Sequence, residues 1–212
     1  LEARLNNFEA GGFSETTTAS FSVDAALGAV DGDTTSEKTF ASYQFNIGLS
    51  TSFTGEDSLD IAIDSGSDSA ATADDPLAFD TGSSLQVDGV AYSFPLGGIS
   101  MLVGFDTDIS SAFTGACTYS AFTDYMSNCG TDLSYVAGGG VTVAGSYAFD
   151  SGFSLAAGVS GQADSTNGLM TKEGDDYYGI EAAYTADSWG VAVAYASDDN
   201  AGSAETTYWG VN

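Results

Sequence analysis

Histidine is absent from these 212 residues, and only three residues are basic against 30 acidic ones. Without histidine the usual general base and the commonest metal ligand are both missing, and no Ser-His-Asp or Cys-His pairing can be assembled. A formal charge of −27 leaves nothing to neutralise phosphates, which excludes nucleic acid as a partner. There are two prolines, which suits long uninterrupted strands. No apolar run approaches the roughly 20 residues of a spanning helix. The two cysteines, Cys117 and Cys129, do not match a zinc pattern. They form either a disulfide within one polar loop, which fits an oxidising compartment, or two free thiols. The acidic turns Asp31-Gly32-Asp33, Asp74-Asp75 and Asp198-Asp199-Asn200 lack EF-hand spacing and read as solvated loops. Asp60 and Asp64 lie on one strand face rather than across a cleft as a glycosidase pair would. An enzyme is not expected, and neither is a metal or cofactor.

What is present is alternation. In residues 134–163 the odd positions Tyr135, Val141, Val143, Tyr147, Phe149, Phe153, Leu155 and Val159 are apolar. The even positions are mostly small or polar. A period of two means strand, and Asp150-Ser151-Gly152 makes the hairpin turn between two long strands. The same pattern fills 17–30, 39–53, the stretch around Leu59 to Ile63, 85–94, 99–105, 175–185, 189–197 and a last strand from Thr206. A phase shift at Asp88-Gly89 suggests a bulge. Aromatics at 12% argue against a disordered acidic tail.

About ten strands result, joined alternately by short turns (54–57, 95–98, 150–152, 186–188) and long loops (31–38, 66–83, 107–132, 164–174, 198–205). In an up-and-down meander all short turns fall at one end, an asymmetry characteristic of outer-membrane barrels. Phe53, Phe94, Phe149, Phe153, Tyr184 and Trp189 lie beside the short turns, where an interfacial aromatic girdle would sit. The alternative is that they are core aromatics of a sandwich. The expected fold is all-β: an antiparallel up-and-down transmembrane β-barrel, or part of one, over 11–212. Residues 1–10, LEARLNNFEA, read as a helix with Leu1, Leu5 and Phe8 at heptad spacing, either a coiled-coil remnant or an ordinary leader.

LEARLNNFEA, the Phe-Ser-rich first strand, SYQFNIGLSTSFTGEDSL and VAYSFPLGGISMLVG resemble cyanobacterial outer-membrane porins related to the carbohydrate-selective porin family. The resemblance implies an upstream S-layer-homology domain that binds peptidoglycan or another cell-wall polymer, then a coiled coil ending at Leu1–Ala10, then a barrel in outer-membrane lipid, with a homotrimer as the assembly. Leu1 is no initiator methionine and the chain stops inside an apparent strand at Gly210-Val211-Asn212, so an internal fragment is expected. Sugar-selective members line their channel with basic residues, whereas beyond the helix only Lys38 and Lys172 are basic here.

On these grounds the expected function is an outer-membrane pore for ions and small hydrophilic solutes. Its lining would be Asp24, Gln44, Asn46, Asp60, Asp64 and Glu181. The constriction loop, by family analogy, would be 107–132 with Asp108, Asp124 and Asp132 and the Cys117/Cys129 pair. An acidic lining gives a weak preference for cations, screened by salt. The bland reading of the same carboxylates is a solvated sheet face. The competing function is an acidic all-β cell-surface structural or adhesive protein, whose apolar strand faces would meet each other.

Overall fold

The computed structural model describes residues 16–31, 38–67, 82–107, 109–114, 140–162, 170–171, 174–199 and 205–211. Ten strands occur among them, every described pair is antiparallel, and strand order follows chain order from β1 to β10. The chain divides into two compact units, Leu1–Asp88 and Gly89–Asn212.

The first unit contains β1 (Thr17–Val30), β2 (Lys38–Thr51) and β3 (Ser58–Gly66). β1 and β2 pair over their full length, from Thr17↔Thr51 to Val30↔Lys38, and β2 continues onto β3 from Gln44↔Gly66 to Thr51↔Leu59. Cross-strand partners share a face, so Phe21, Val23 and Leu27 of β1 stand with Tyr43, Phe45 and Ile47 of β2. Phe21 and Phe45 stack with centroids 6.4 Å apart. The β2–β3 turn is tied by one carboxylate. Asp57 Oδ1 accepts from the Phe53 and Thr54 amides at 2.9 and 2.7 Å, and from the Ser52 and Thr54 hydroxyls at 2.8 Å each.

β4 (Gln86–Leu96) begins at the boundary between the units. From Val90 onward it pairs with β5 (Ile99–Phe105). The second unit continues through a 3-10 turn (Ile109–Ala112), β6 (Gly140–Ala148), β7 (Phe153–Gln162), β8 (Asp176–Thr185), β9 (Gly190–Asp199) and β10 (Thr206–Val211). The 150–152 turn closes through Gly152, whose φ of +88° only glycine adopts without strain. Its N–H donates to the Phe149 carbonyl at 3.1 Å, and its own carbonyl accepts from Thr185 N–H at 2.9 Å. At Gly89, the backbone comes so close to the Asp106 carbonyl that a Cβ would stand 3.0 Å from it. That is the physical reason for glycine where the alternation changes phase.

The expected barrel is overturned. β1 pairs with β2 and β10 with β9, and the strand order is linear, so the sheet is open rather than closed on itself. An open sheet encloses no lumen, and a spanning sheet must be closed to satisfy its edges. The outer-membrane porin, its location in the outer membrane and the transport of ions or carbohydrate across it are withdrawn with it. No described helix is long and apolar enough to cross a membrane. The expected helix over Leu1–Ala10 lies outside the described residues; among those, the one helical element is the four-residue 3-10 turn.

Candidate functional site

In the second unit the two sheet faces have opposite characters. Register places Val143, Tyr147, Leu155, Ala157, Ile180, Ala182, Val193, Tyr195 and Trp209 on one side. This apolar side is the exposed one: Leu155 is 52% exposed, Ile180 56% and Trp209 71%. The other side carries Thr142, Ala144, Ala156, Gly158, Ser160, Gly179, Glu181, Ala183, Ala192 and Ala194. These small and polar residues are mostly buried.

Burial of the small side follows from its size. With hydrogen or methyl at most positions, the sheet admits the segment 109–114 against its backbone. Ile109 is fully buried and joins Leu102, Ala144 and Tyr177 in a small core, with Ala91, Ala112 and Phe113 packed on it. The socket depends on two glycines. A Cβ at Gly158 would meet Ile109 Cγ2 and Ala144 Cβ at 2.7 Å each, and one at Gly179 would meet Phe113 Cζ at 3.1 Å. Thr142 donates its hydroxyl to the Thr107 carbonyl at the start of the segment. At its end the Thr114 amide donates to Glu181 Oε1 at 2.5 Å, and the Ser154 hydroxyl to Thr114 Oγ1 at 3.0 Å. Burial pushes the Glu181 carboxyl above the usual glutamate value, and the Thr114 amide draws it partly back.

On the exposed apolar side, Gly145, Ala157 and Ala182 form the floor of a depression of about 690 Å³, with Leu155, Ile180 and Trp209 among its walls. Aromatic pairs run along this side: Phe153–Tyr184 at 4.7 Å, Tyr184–Trp189 at 5.2 Å and Tyr195–Trp209 at 4.8 Å. The first two lie beside the short turns, where the sequence puts aromatics. Phe153 and Trp189 are exposed rather than sandwiched in a core. The charged residues that register places on this side are Asp176 and Asp199, paired at one end of β8 and β9. Burial, helped by these two carboxylates, raises the Tyr178 phenol above its ordinary value, which keeps it neutral.

Five of the six residues read as a lining fall on one face of the first unit. Asp24 pairs with Gln44, Asn46 with Asp64, and Ser50 with Asp60. Gln44 Nε2 donates to Asn46 Oδ1 at 2.8 Å, and the Ser58 hydroxyl to Asp60 Oδ2 at 2.7 Å. Asp24 and Asp60 are exposed, and Gln44 and Asn46 half-buried. Asp64 is buried. Glu181 belongs to the second unit and, far from facing water, is 4% exposed beneath the 109–114 segment. Asp108, Asp124, Asp132, Cys117 and Cys129 lie outside the described residues. Ile109, Thr114, Gly158 and Gly179 escaped the sequence reading. Their one signal is the run of minimal side chains at Ala156, Gly158 and Ser160 beside Gly179 and Ala183. Among the described residues no group of three or more acidic or cysteine side chains is placed to hold a metal.

No family model matches the chain, and no curated protein matches it. The resemblance to cyanobacterial outer-membrane porins has the short motifs quoted above as its support.

Proposed function

We propose that the chain is an acidic structural or adhesive all-β protein of the cell surface that works by association through the apolar sheet side of its second unit. The observation that carries this role is the exposed apolar side itself. Phe105, Tyr147, Phe153 and Trp209 stand on it at 57, 41, 54 and 71% exposure. At roughly 200 Å² per aromatic side chain, these four alone leave on the order of 400 Å² of apolar surface in water. The largest apolar patch of an ordinary monomer, about 300–600 Å², is often functional, and larger ones mark interaction sites. Leu155, Ile180 and Val193 enlarge the patch on this side, and an interface of about 800 Å² per partner is the standard size.

The occupant we assign is the same side of a second copy, so that two sheets stack face to face with apolar side chains interleaved. The centre of the side is uncharged, so a strongly acidic chain meets its copy there without like-charge contact. The role asks for no catalysis and no cofactor. The test is extraction and sedimentation of the full chain without detergent. A soluble oligomer that dissociates on Ile180→Asp is expected. A chain that stays monomeric at high concentration, or that is recovered only with detergent or lipid vesicles, would overturn it.

A further inference from the structure

We infer that the segment 109–114 is a strap latched onto the polar sheet side by Glu181, and that ionisation of this carboxyl loosens the latch. This goes beyond the association role and does not depend on it, since it concerns the opposite side of the sheet.

Three observations converge. The strap has a built seat: Ile109 is fully buried, in a socket that exists because residues 158 and 179 lack a Cβ. Its far end is held by one charge-capable contact, the Thr114 amide on Glu181 Oε1 at 2.5 Å. Glu181 Oε2 is buried with no hydrogen-bond partner among the described residues. A buried carboxylate with one oxygen unsatisfied is costly, whereas a carboxylic acid there is tolerable.

Among the described residues around it there is no compensating cation. In register, Glu181 sits between Ala156 of β7 and Ala194 of β9. The strap contributes Ile109, Ser110, Ser111, Ala112, Phe113 and Thr114, none of them titratable. On the same side, β6 presents Thr142 and Ala144, and β7 presents Ser154, Gly158 and Ser160. The titratable groups that register places on this side are Tyr177 and Asp198, which face each other further along β8 and β9, and Tyr208 of β10, opposite Ala196. None supplies a positive charge.

The direction follows by linkage. Burial raises the Glu181 carboxyl above its unfolded value. The closed strap is therefore fully favoured at low pH, where the acid is protonated in both states. That advantage is lost as pH rises through the raised folded value. Above it the carboxylate must either stay buried and charged or lift the strap to reach water.

Hydrogen exchange of the Thr114 amide in the full chain, corrected for intrinsic rate, tests this between about pH 4 and pH 8, a range that spans the ordinary and a raised carboxyl value. Protection should be lost progressively as pH rises through this range, the direction set by a carboxyl whose folded value is raised. Glu181→Gln keeps an acceptor for the amide but cannot ionise, so protection should become flat with pH. Thr114→Pro removes the donor and should leave the strap open to proteolysis at every pH. A wild-type strap equally protected across the range would overturn the latch. So would a pH dependence that persists unchanged in Glu181→Gln, or a Thr114→Pro strap as resistant to protease at low pH as the wild type.

Discussion

Single side chains decide two of the connections. Asp57 fastens the β2–β3 turn by accepting two backbone amides and two hydroxyls on one oxygen. Hydrogen bonds to a charged group contribute more than neutral ones, and the amides of a tight turn have few other partners. Asp57→Ala should therefore lower stability by about 1.5–3 kcal/mol, read as a shifted denaturant midpoint with unchanged slope. Asp57→Asn, which keeps one acceptor oxygen, should lose less. Equal losses would mean that the charge contributes nothing to the turn. At Gly152 the constraint is conformational: φ is +88° and a Cβ would stand 2.6 Å from the Thr185 carbonyl. Both the Asp57 and the Gly152 turns were legible, because turn chemistry is local and carried by a few residue types.

At the scale of elements, the strands were also legible. The alternation over 17–30 is β1 to the residue, and the 39–53 run is β2 within a residue or two, because a period of two has one structural meaning. What alternation does not encode is what covers each side. Apolar Leu155 and Ile180 mark a side that prefers to leave water, but nothing in the sequence names its cover. Small Gly158 and Gly179 look equally like filler or like a socket. Only the structure puts Ile109 over them. Closure was illegible for a related reason: an up-and-down meander alternates identically whether its first and last strands meet or not. The socket has a direct consequence. Gly158→Val adds a branched side chain where even one Cβ would be 2.7 Å from Ile109 and from Ala144. Overpacking of that kind costs about 1–3 kcal/mol, and it should appear as protease cleavage within 109–114 while the β6–β7 amides stay protected. Glu181→Gln acts on the same element in the opposite sense. Because burial raises the wild-type carboxyl, the variant should gain stability over wild type as pH rises and lose that gain as pH falls. Denaturant melts at acid and neutral pH measure the gap, and a gap of constant size would mean that ionisation is not its source.

At the scale of the whole molecule, charge and apolar surface oppose each other. A net charge of −27 repels a second copy from every direction, while the side around Ile180 and Trp209 is left in water. The opposing terms respond differently to salt. Repulsion between exposed charges reaches about 30 Å at 0.01 M and about 8 Å at 0.15 M, whereas burial of apolar area does not weaken with added salt. Self-association should therefore strengthen as salt rises, the reverse of an interface built on ion pairs. With three basic residues in 212, few ion pairs between copies are available at all. Sedimentation equilibrium across that range should show the dimer fraction rising with salt. Ile180→Asp, which would bury a carboxylate at the centre of the contact, should keep the chain monomeric throughout. Leu27→Asp, at an exposed apolar residue of the first unit, should not. If association weakened with salt, or if Leu27→Asp abolished it while Ile180→Asp did not, the contact would lie elsewhere on the molecule.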